Sequence, residues 1–252
     1  MPTNFPTNPD TYTTKVDGVD TVMAAHINNL QDAMMAVEDF ALDLRDGWCY
    51  DTDTWVYVSP TSFKIAGKNV AYRFPNGTKI KLVQSGTTKY FYVTAATFST
   101  DTTITITGGS DYTLASETVS GQAYSYAAAP QNFPQWFNYT PTCYGWTSGT
   151  VTGTFKYSVI GNIVFLLIDM TAGTSNATNA YIDLPVNADL NASYGGTLGL
   201  AMDNGTVLTQ ATKWYIGGTS QTIAFASNMG SGLWTASGTK RMRCLAIYAK
   251  GT

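Results

Sequence analysis

Charged residues are scarce in this 252-residue chain, where they make up 12% of the sequence, about half the ~25% that is usual for soluble globular domains. Hydrophobic residues make up an ordinary 44%. Low charge with normal hydrophobicity argues against intrinsic disorder, which needs the reverse combination. The formal net charge is −3, which argues against a protein that binds nucleic acid through its phosphates.

Long apolar runs and paired cysteines are absent as well. The longest apolar run, Ile163–Ile168, has the length of a strand and cannot span a membrane. The N-terminus has neither a basic region nor an apolar core, so no signal peptide is expected. The three cysteines, Cys49, Cys143 and Cys244, lie far apart, so neither a disulfide framework nor a zinc site is predicted.

Residue sets for catalysis are missing too. The single histidine, His26, lies on the flank of a predicted helix, whereas a Ser–His or Cys–His site needs a cleft. Asp51 and Asp53 echo the start of a calcium loop, but Val56 and Ser62 stand where Gly and Glu are required, so a solvated turn is predicted. We expect no enzyme, cofactor or metal. Glycoside hydrolysis stays a minor alternative, since the C-terminal half holds four aspartates without a spacing signature: Asp169, Asp183, Asp189 and Asp203.

Threonine, glycine and tyrosine are abundant instead of charged residues, with 39, 23 and 16 copies. Threonine and tyrosine favour β structure. Residues 48–127 are predicted to form a small β-barrel or sandwich. Asn76-Gly77 predicts a type I′ hairpin there. Alternating residues predict four strands in this range: Trp55–Val58, Lys79–Val83, Tyr90–Val93 and Thr102–Thr107.

Residues 138–252 are predicted to form a second all-β domain, a jelly-roll-like β-sandwich. Gly161-Asn162 and Asn204-Gly205 supply turns. The predicted strands are Val151–Tyr157, Ile163–Met170, Ala180–Leu184, Thr197–Ala201, Lys213–Ile216, Thr222–Ala226 and Arg243–Tyr248.

Two proline-rich segments flank the first β domain. Residues 1–20 are predicted to be an extended docking arm that becomes ordered on a partner surface. Residues 128–137 are predicted to be a stiff connector. Trp136 and Phe137, at the end of this connector, are expected to dock it onto a neighbouring domain.

Residues 21–47 carry the one convincing helix, which ends at Gly47, where a left-handed cap is favoured. Its apolar residues are spaced by alternating steps of four and three, the heptad pattern of a coiled coil. Val37 at a d position, and the wide apolar face, favour three strands over two. The alternative is an amphipathic helix that packs on its own domain. The predicted trimer seam contains Met23, Ile27, Leu30, Met34, Val37, Ala41 and Leu44.

Aromatic residues are frequent in the turn-rich C-terminal zone, and aromatic faces stack on sugars and anchor protein interfaces. Core packing explains most of them equally well, so two or three are expected to face a ligand. Tyr139, Tyr144, Tyr157 and Tyr181 belong to this set. The residues singled out as candidates for facing a glycan are Trp146, Tyr194, Trp214, Tyr215 and Trp234.

Three stretches resemble structural proteins of tailed bacteriophages. Val16–Phe40 (VDGVDTVMAAHINNLQDAMMAVEDF) resembles a helix of phage tail and fibre proteins. Ile104–Trp136, with ITGGSDYTLA and AAAPQNFPQW, is similar to another recurring phage segment. The C-terminal zone, with GNIVFLLIDMTAGTSNATNAYIDLP and WTASGTK, resembles domains that end phage fibres and receptor-binding proteins. The resemblance implies a homotrimer, a virion location after assembly in the bacterial cytoplasm, and no enzymatic activity.

These observations favour a homotrimeric tail fibre or spike. Its residues 1–20 would attach to other virion proteins, and its C-terminal domain would bind a bacterial surface polysaccharide. With only three heptads the chain is short for a long fibre. The alternative is therefore a head fibre or capsid decoration protein that stabilises the particle. Neither nucleic acid nor a membrane is an expected partner.

Overall fold

The computed structural model describes residues 24–216, 221–229 and 233–251. The predicted fold class is confirmed in its coarse form, because the chain is mainly β with one helix, and every paired strand is antiparallel. The predicted docking arm and Met23 lie outside the described residues, as do the side chains of His26 and Leu44.

The helix, α1, spans Ala24–Arg45. Gly47 follows it with a φ of 78°, as expected for a left-handed cap. The described seam residues Ile27, Leu30, Met34, Val37 and Ala41 are all exposed. The described part of the seam therefore does not pack on the chain's own β sheets, which contradicts the alternative of a helix that lies on its own domain.

The first β unit is a curled seven-stranded sheet. Its elements are β1 (Cys49–Tyr50), β2 (Trp55–Ser59), β3 (Ser62–Ile65), a 3₁₀ turn (Ala71–Arg73), β4 (Lys79–Gln84), β5 (Thr87–Phe98), β6 (Thr102–Thr107) and β7 (Ser120–Ser125). The strand order is β1-β7-β4-β5-β6-β3-β2, and the four predicted strands are confirmed. The core is formed by apolar residues of most of these strands and of the segment between β3 and β4, among them Phe63, Phe74, Ile80 and Ile104.

The hairpin predicted at Asn76-Gly77 is wrong, because no strand precedes β4 there and the segment before it holds a 3₁₀ turn. Gly77 does have a positive φ of 85°. A Cβ at Gly77 would lie 2.2 Å from the carbonyl oxygen of Gly161 in the second β unit. Gly77 therefore allows the two backbones to approach closely. The Asn-Gly pair in the sequence is the same whether the glycine serves this contact or a hairpin turn, so the sequence does not distinguish the two roles.

The solvated turn predicted at Asp51 and Asp53 is also wrong. Both carboxylates are buried, and Arg73 Nη1 lies 2.9 Å from Asp53 Oδ2 and 3.4 Å from Asp51 Oδ1. Lys68 donates to the other oxygen of Asp53, and Trp55 Nε1 donates to Asp51 Oδ2 at 3.0 Å. Asp51 and Asp53 thus belong to an ion cluster that connects the segment before β2 to the 3₁₀ turn.

Acid should weaken this cluster. The hydrogen bond from Lys68, with that from Arg73, lowers the pKa of Asp53 despite its burial. A carboxylate with a lowered pKa stabilises the fold above its unfolded pKa of about 4, and the contribution is lost as the pH falls through the folded pKa. We expect Asp53→Asn to lower the free energy of unfolding at pH 7 by about 1.5–3 kcal/mol. Urea unfolding of both proteins from pH 7 to pH 3 should show the steeper acid loss in the wild type, whereas parallel curves would contradict this.

The second β unit consists of a six-stranded and a five-stranded sheet. Its strands are β8 (Phe137–Asn138), β9 (Cys143–Tyr144), β10 (Thr152–Ile160), β11 (Ile163–Ala172), β12 (Ala180–Asp183), β13 (Tyr194–Thr197), β14 (Leu200–Asp203), β15 (Thr206–Val207), β16 (Lys213–Ile216), β17 (Thr222–Ala226) and β18 (Arg241–Ala249). The strand order is β15-β14-β18-β11-β10-β8 in the first sheet and β13-β16-β17-β12-β9 in the second. Residues of both sheets share one core between them, including Leu166, Ile168, Ile182 and Ile223.

Six of the seven strands predicted in this zone are confirmed. The exception, Thr197–Ala201, is wrong because the chain changes sheets there, so that β13 pairs with β16 and β14 pairs with β18. The turns at Gly161-Asn162 and Asn204-Gly205 close two-residue hairpins, as expected.

An aromatic cluster joins the two β units. Phe137 is fully buried, and its ring centroid lies 5.1 Å from that of Tyr92 and 5.8 Å from that of Tyr157. Phe133, from the predicted connector, packs 5.5 Å from Phe137. Trp136 remains 39% exposed. Docking of the connector is therefore confirmed for Phe137 and wrong for Trp136.

Hydrogen bonds reinforce this joint between the units. Asp111 accepts from both the backbone and the side-chain nitrogen of Asn138, at 2.8 and 2.9 Å. Lys250 Nζ donates to the carbonyl oxygen of Thr94 at 2.5 Å, and burial lowers the pKa of this lysine to about 8. A Cβ at Gly109 would lie 2.0 Å from the carbonyl oxygen of Asn138. The two β units are thus in direct contact through backbone, side chains and aromatic rings.

Candidate glycan-binding face

The outward face of the five-stranded sheet carries a row of tyrosines. Strand register places Tyr144 opposite Tyr181, Tyr181 opposite Ala224, Ala224 opposite Tyr215, and Tyr215 opposite Gly195. Side chains alternate along each strand, and the intervening residues of β12 and β16 are buried. We call Tyr144, Tyr181 and Tyr215 the tyrosine row.

The rings of the tyrosine row are at least partly exposed, and each contacts a neighbouring side chain. Tyr144 and Tyr181 are stacked, with ring centroids 5.1 Å apart and planes inclined by 19°. Tyr215 is 45% exposed, and Lys213 Nζ lies 5.4 Å from its ring centroid. Tyr181 and Tyr215 are separated by the one strand that carries Ala224, so their Cα atoms are about 10 Å apart. The small side chain of Ala224 lies between Tyr181 and Tyr215 in the strand register.

The chemistry of this face suits a saccharide. Tyrosine rings are large, stiff and amphipathic, so they can pack on the C–H faces of sugar rings while the phenol groups donate and accept hydrogen bonds. The spacing of Tyr181 and Tyr215 is comparable with the length of a disaccharide unit. Asp183 and Lys213 contribute one charge of each sign to the face. The face can therefore offer aromatic rings, phenol groups and one charge of each sign to a ligand.

A cleft adjoins one end of the row. Strands β8, β9 and β10 and the loops that join them enclose a volume of about 990 Å³. Threonine and serine side chains form much of its wall, and Tyr139, Trp146 and Phe155 contribute aromatic surface. Cys143 lines the cleft, and the next residue, Tyr144, begins the tyrosine row.

Two polar groups of the cleft residues are notable. Tyr139 Oη and Trp146 Nε1 are buried and have no hydrogen-bond partner among the described residues. Burial holds the pKa of Tyr139 well above its usual value, so its hydroxyl remains a donor at neutral pH. Both atoms are enclosed by protein, so neither is open to a ligand in the cleft.

Four of the five aromatic candidates from the sequence do not offer a ring to a glycan. Trp146, Trp214 and Trp234 are buried, and Trp234 Nε1 donates to the carbonyl oxygen of Phe225 at 2.8 Å. Tyr194 is half-buried and packs against Tyr248 in the core. Those four expectations are wrong, because large aromatic side chains gain more from the core than from the surface. Tyr215 alone lies on the outward face.

Three aspartates of this unit have structural partners. Asp169 accepts from Arg243 Nε at 2.6 Å, and Asp203 lies 2.8 Å from the fully buried Lys240. Asp183 accepts from the backbone of Thr142 at 2.6 Å. Within the described ranges no group of His, Cys, Asp and Glu side chains could hold a metal ion. Cys49, Cys143 and Cys244 form no disulfide bond with one another, and burial raises the pKa of Cys143 to about 11 and of Cys244 to about 12.

No protein family, curated protein or solved structure matches this chain. In the part of the chain that the structure describes, no helix is long and apolar enough to cross a membrane.

Proposed function

We propose that the chain is a structural component of a tailed-phage virion, namely a homotrimeric fibre or spike. Residues 1–20 attach it to other virion proteins, and α1 forms a short trimeric coiled coil. The second β unit, a sandwich of the jelly-roll class, projects outward and binds host-surface polysaccharide. The protein acts in the virion after assembly in the bacterial cytoplasm, and it performs no catalysis.

The exposed heptad seam of α1 is the observation that carries this proposal. An isolated helix of 22 residues with an apolar stripe in water is marginally stable at best. Its seam repeats in steps of four and three, which is the pattern that fits neighbouring helices rather than a flat sheet. Self-association covers the seam and places three copies of the β units side by side.

The tyrosine row supports polysaccharide binding by the same assembly. Each copy supplies one weak site, and three linked sites hold a surface far more strongly than one. The adjoining cleft, with its threonine and serine side chains, supplies further hydroxyl groups near the end of the row. The resemblance to phage fibre segments points to a bacterial surface as the source of the polysaccharide.

Removal of single rings tests the binding face. We expect Tyr215→Ala and Tyr181→Ala each to weaken attachment by up to about tenfold per site, because one stacked ring contributes about 0.5–1.5 kcal/mol. The measurement is the binding of fluorescently labelled protein to a panel of bacterial strains. Periodate, which cleaves sugar diols, should abolish the signal on the strains that bind.

Tyr50→Ala is the matched control for this experiment. Tyr50 is 47% exposed, close to the 45% of Tyr215, but it lies on β1 of the other β unit. The Tyr50→Ala variant should leave the attachment of the protein to bacteria unchanged. If all three variants attach as the wild type does, the tyrosine row is not the binding face. If periodate has no effect, the ligand is not a polysaccharide.

The short helix favours a second candidate, a head fibre or capsid decoration protein. At 1.5 Å per residue, the 22 residues of α1 extend only about 33 Å. Immunogold labelling of phage particles with antibody against the chain separates the two candidates. Gold at the tail supports the fibre or spike, and gold distributed over the capsid supports the alternative.

A further inference from the structure

The second β unit is the basic part of an acidic chain. Residues 138–252 contain six basic and four acidic residues, a formal charge of +2, whereas the whole chain has a formal charge of −3. A surface with an excess of one sign of charge raises the local concentration of ligands of the opposite sign. The unit that carries the tyrosine row is therefore the part of the chain that attracts anions.

The acidic side chains of this unit are engaged within the protein. Three of its four aspartates contact Arg243, Lys240 and the backbone of Thr142. The fourth, Asp189, accepts from the backbone and side-chain nitrogens of Asn191, both at 2.9 Å. Each carboxylate of the unit thus already has a donor in the fold.

Two lysines of this unit differ from its aspartates, because they have no acidic partner and lie where the ligand is proposed to bind. Lys213 precedes Tyr215 by two residues and shares its face of β16. Lys156 is the one charged side chain among the described residues that line the cleft. Both lysines are partly exposed, and the ion pairs formed by the described residues include neither of them.

Asp183 is too far from Lys213 to neutralise it. Strands β12 and β16 both run antiparallel to β17, so they are parallel to each other, with Tyr181 and Tyr215 in one row. Lys213 lies two residues before Tyr215 and Asp183 two residues after Tyr181, so the two charges lie on opposite sides of the row. Strand spacing places their Cα atoms about 16 Å apart, which is about twice the screening length at physiological ionic strength. An anionic group beside Tyr215 therefore meets the charge of Lys213 and not that of Asp183.

We propose that the tyrosine row binds an acidic polysaccharide and that Lys213 pairs with its anionic groups. The inference rests on the proposed polysaccharide binding and names the chemical class of that ligand. Lys213 Nζ lies 5.4 Å from the ring centroid of Tyr215, so a sugar packed on this ring brings its carboxylate or phosphate substituent close to the ammonium group. Charge-assisted hydrogen bonds of this kind are stronger than those between neutral groups. Lys156 offers a second cation to the same chain at the cleft.

The test measures attachment of labelled full-length protein to the bacterial strains that bind the wild type. We expect Lys213→Gln to weaken attachment by about five- to tenfold per site, and Lys213→Arg, which keeps the charge, to attach as the wild type does. Raising the salt concentration from about 0.05 to about 0.5 M should weaken the wild type and change Lys213→Gln much less.

Lys64→Gln is the matched control. It makes the same charge change in the first β unit, where the Lys64 side chain is 38% exposed and pairs with Asp101. An exposed ion pair contributes little to stability, so this variant should fold normally and attach as the wild type does.

The chemical nature of the anionic group is read from cells whose surface carboxylates have been amidated with a carbodiimide and ethanolamine. Loss of attachment assigns the group to a sugar carboxylate, and attachment that persists and still depends on Lys213 assigns it to a phosphate. If Lys213→Gln attaches as the wild type does at every salt concentration while periodate still abolishes attachment, the inference is overturned and polysaccharide binding stands. If periodate leaves wild-type attachment unchanged, both are overturned.

Discussion

A Leu30→Asp variant is expected to be monomeric at micromolar concentrations. Leu30 lies at the centre of the helix seam, and its side chain is 52% exposed in the single chain, so aspartate there costs the monomer little. In a trimer the same substitution brings three carboxylates together in an apolar seam, at about 3–5 kcal/mol for each uncompensated charge. Sedimentation equilibrium or native mass spectrometry measures the change directly.

Met35→Asp is the control for this variant. Met35 is 62% exposed and follows the seam residue Met34, so it occupies a b position of the heptad. It introduces the same charge on the same helix and should leave the trimer intact. A Leu30→Asp protein that remains trimeric would show that the helix does not organise the assembly.

A Phe137→Ala variant should lower the free energy of unfolding by about 3–5 kcal/mol, the usual cost of removing a fully buried phenylalanine side chain. The ring of Phe137 contacts residues of both β units and of the connector. Its loss opens a cavity where the two units meet. Thermal unfolding, which should be a single transition in the wild type, should then separate into two.

Trp136→Ala provides the comparison, since it removes a larger aromatic ring from the adjacent position. Because Trp136 is 39% exposed, its replacement should cost less than about 1 kcal/mol. If Phe137→Ala and Trp136→Ala lower the free energy of unfolding equally, the buried contacts of Phe137 do not couple the two β units. The same conclusion follows if the wild type already unfolds in two steps.

Local patterns in the sequence predict much of the fold. The helix α1 follows from the helical spacing of its apolar residues, and strands such as Thr102–Thr107 and Lys213–Ile216 follow from alternation. Hairpins with two-residue loops, such as Gly161-Asn162, follow from turn chemistry. All of these depend on residues within about twenty positions of one another, which the sequence displays directly.

The candidate site depends on register, which the sequence does not display. Tyr144, Tyr181 and Tyr215 come from three strands that are distant in sequence, and only the pairing of those strands aligns them. Alternation around Trp214 and Tyr215 indicates that one faces inward, but not which one. The larger indole ring takes the core position.

Long-range partners explain the remaining errors. By its local sequence, Asp53 is expected to lie in a solvated turn, but the fold places Arg73, twenty residues later, in contact with it. By its local sequence, Gly77 is expected to lie in a hairpin turn, but in the fold it lies against Gly161 of the other β unit. In both cases the residue type reports a local preference, and a distant part of the chain determines its role.

The mass of the full chain in solution tests the central claim most directly. Sedimentation equilibrium at micromolar concentrations should give three times the chain mass of 27.2 kDa, or about 82 kDa. A mass of 27.2 kDa over the whole concentration range would contradict a homotrimeric fibre built on the helix seam.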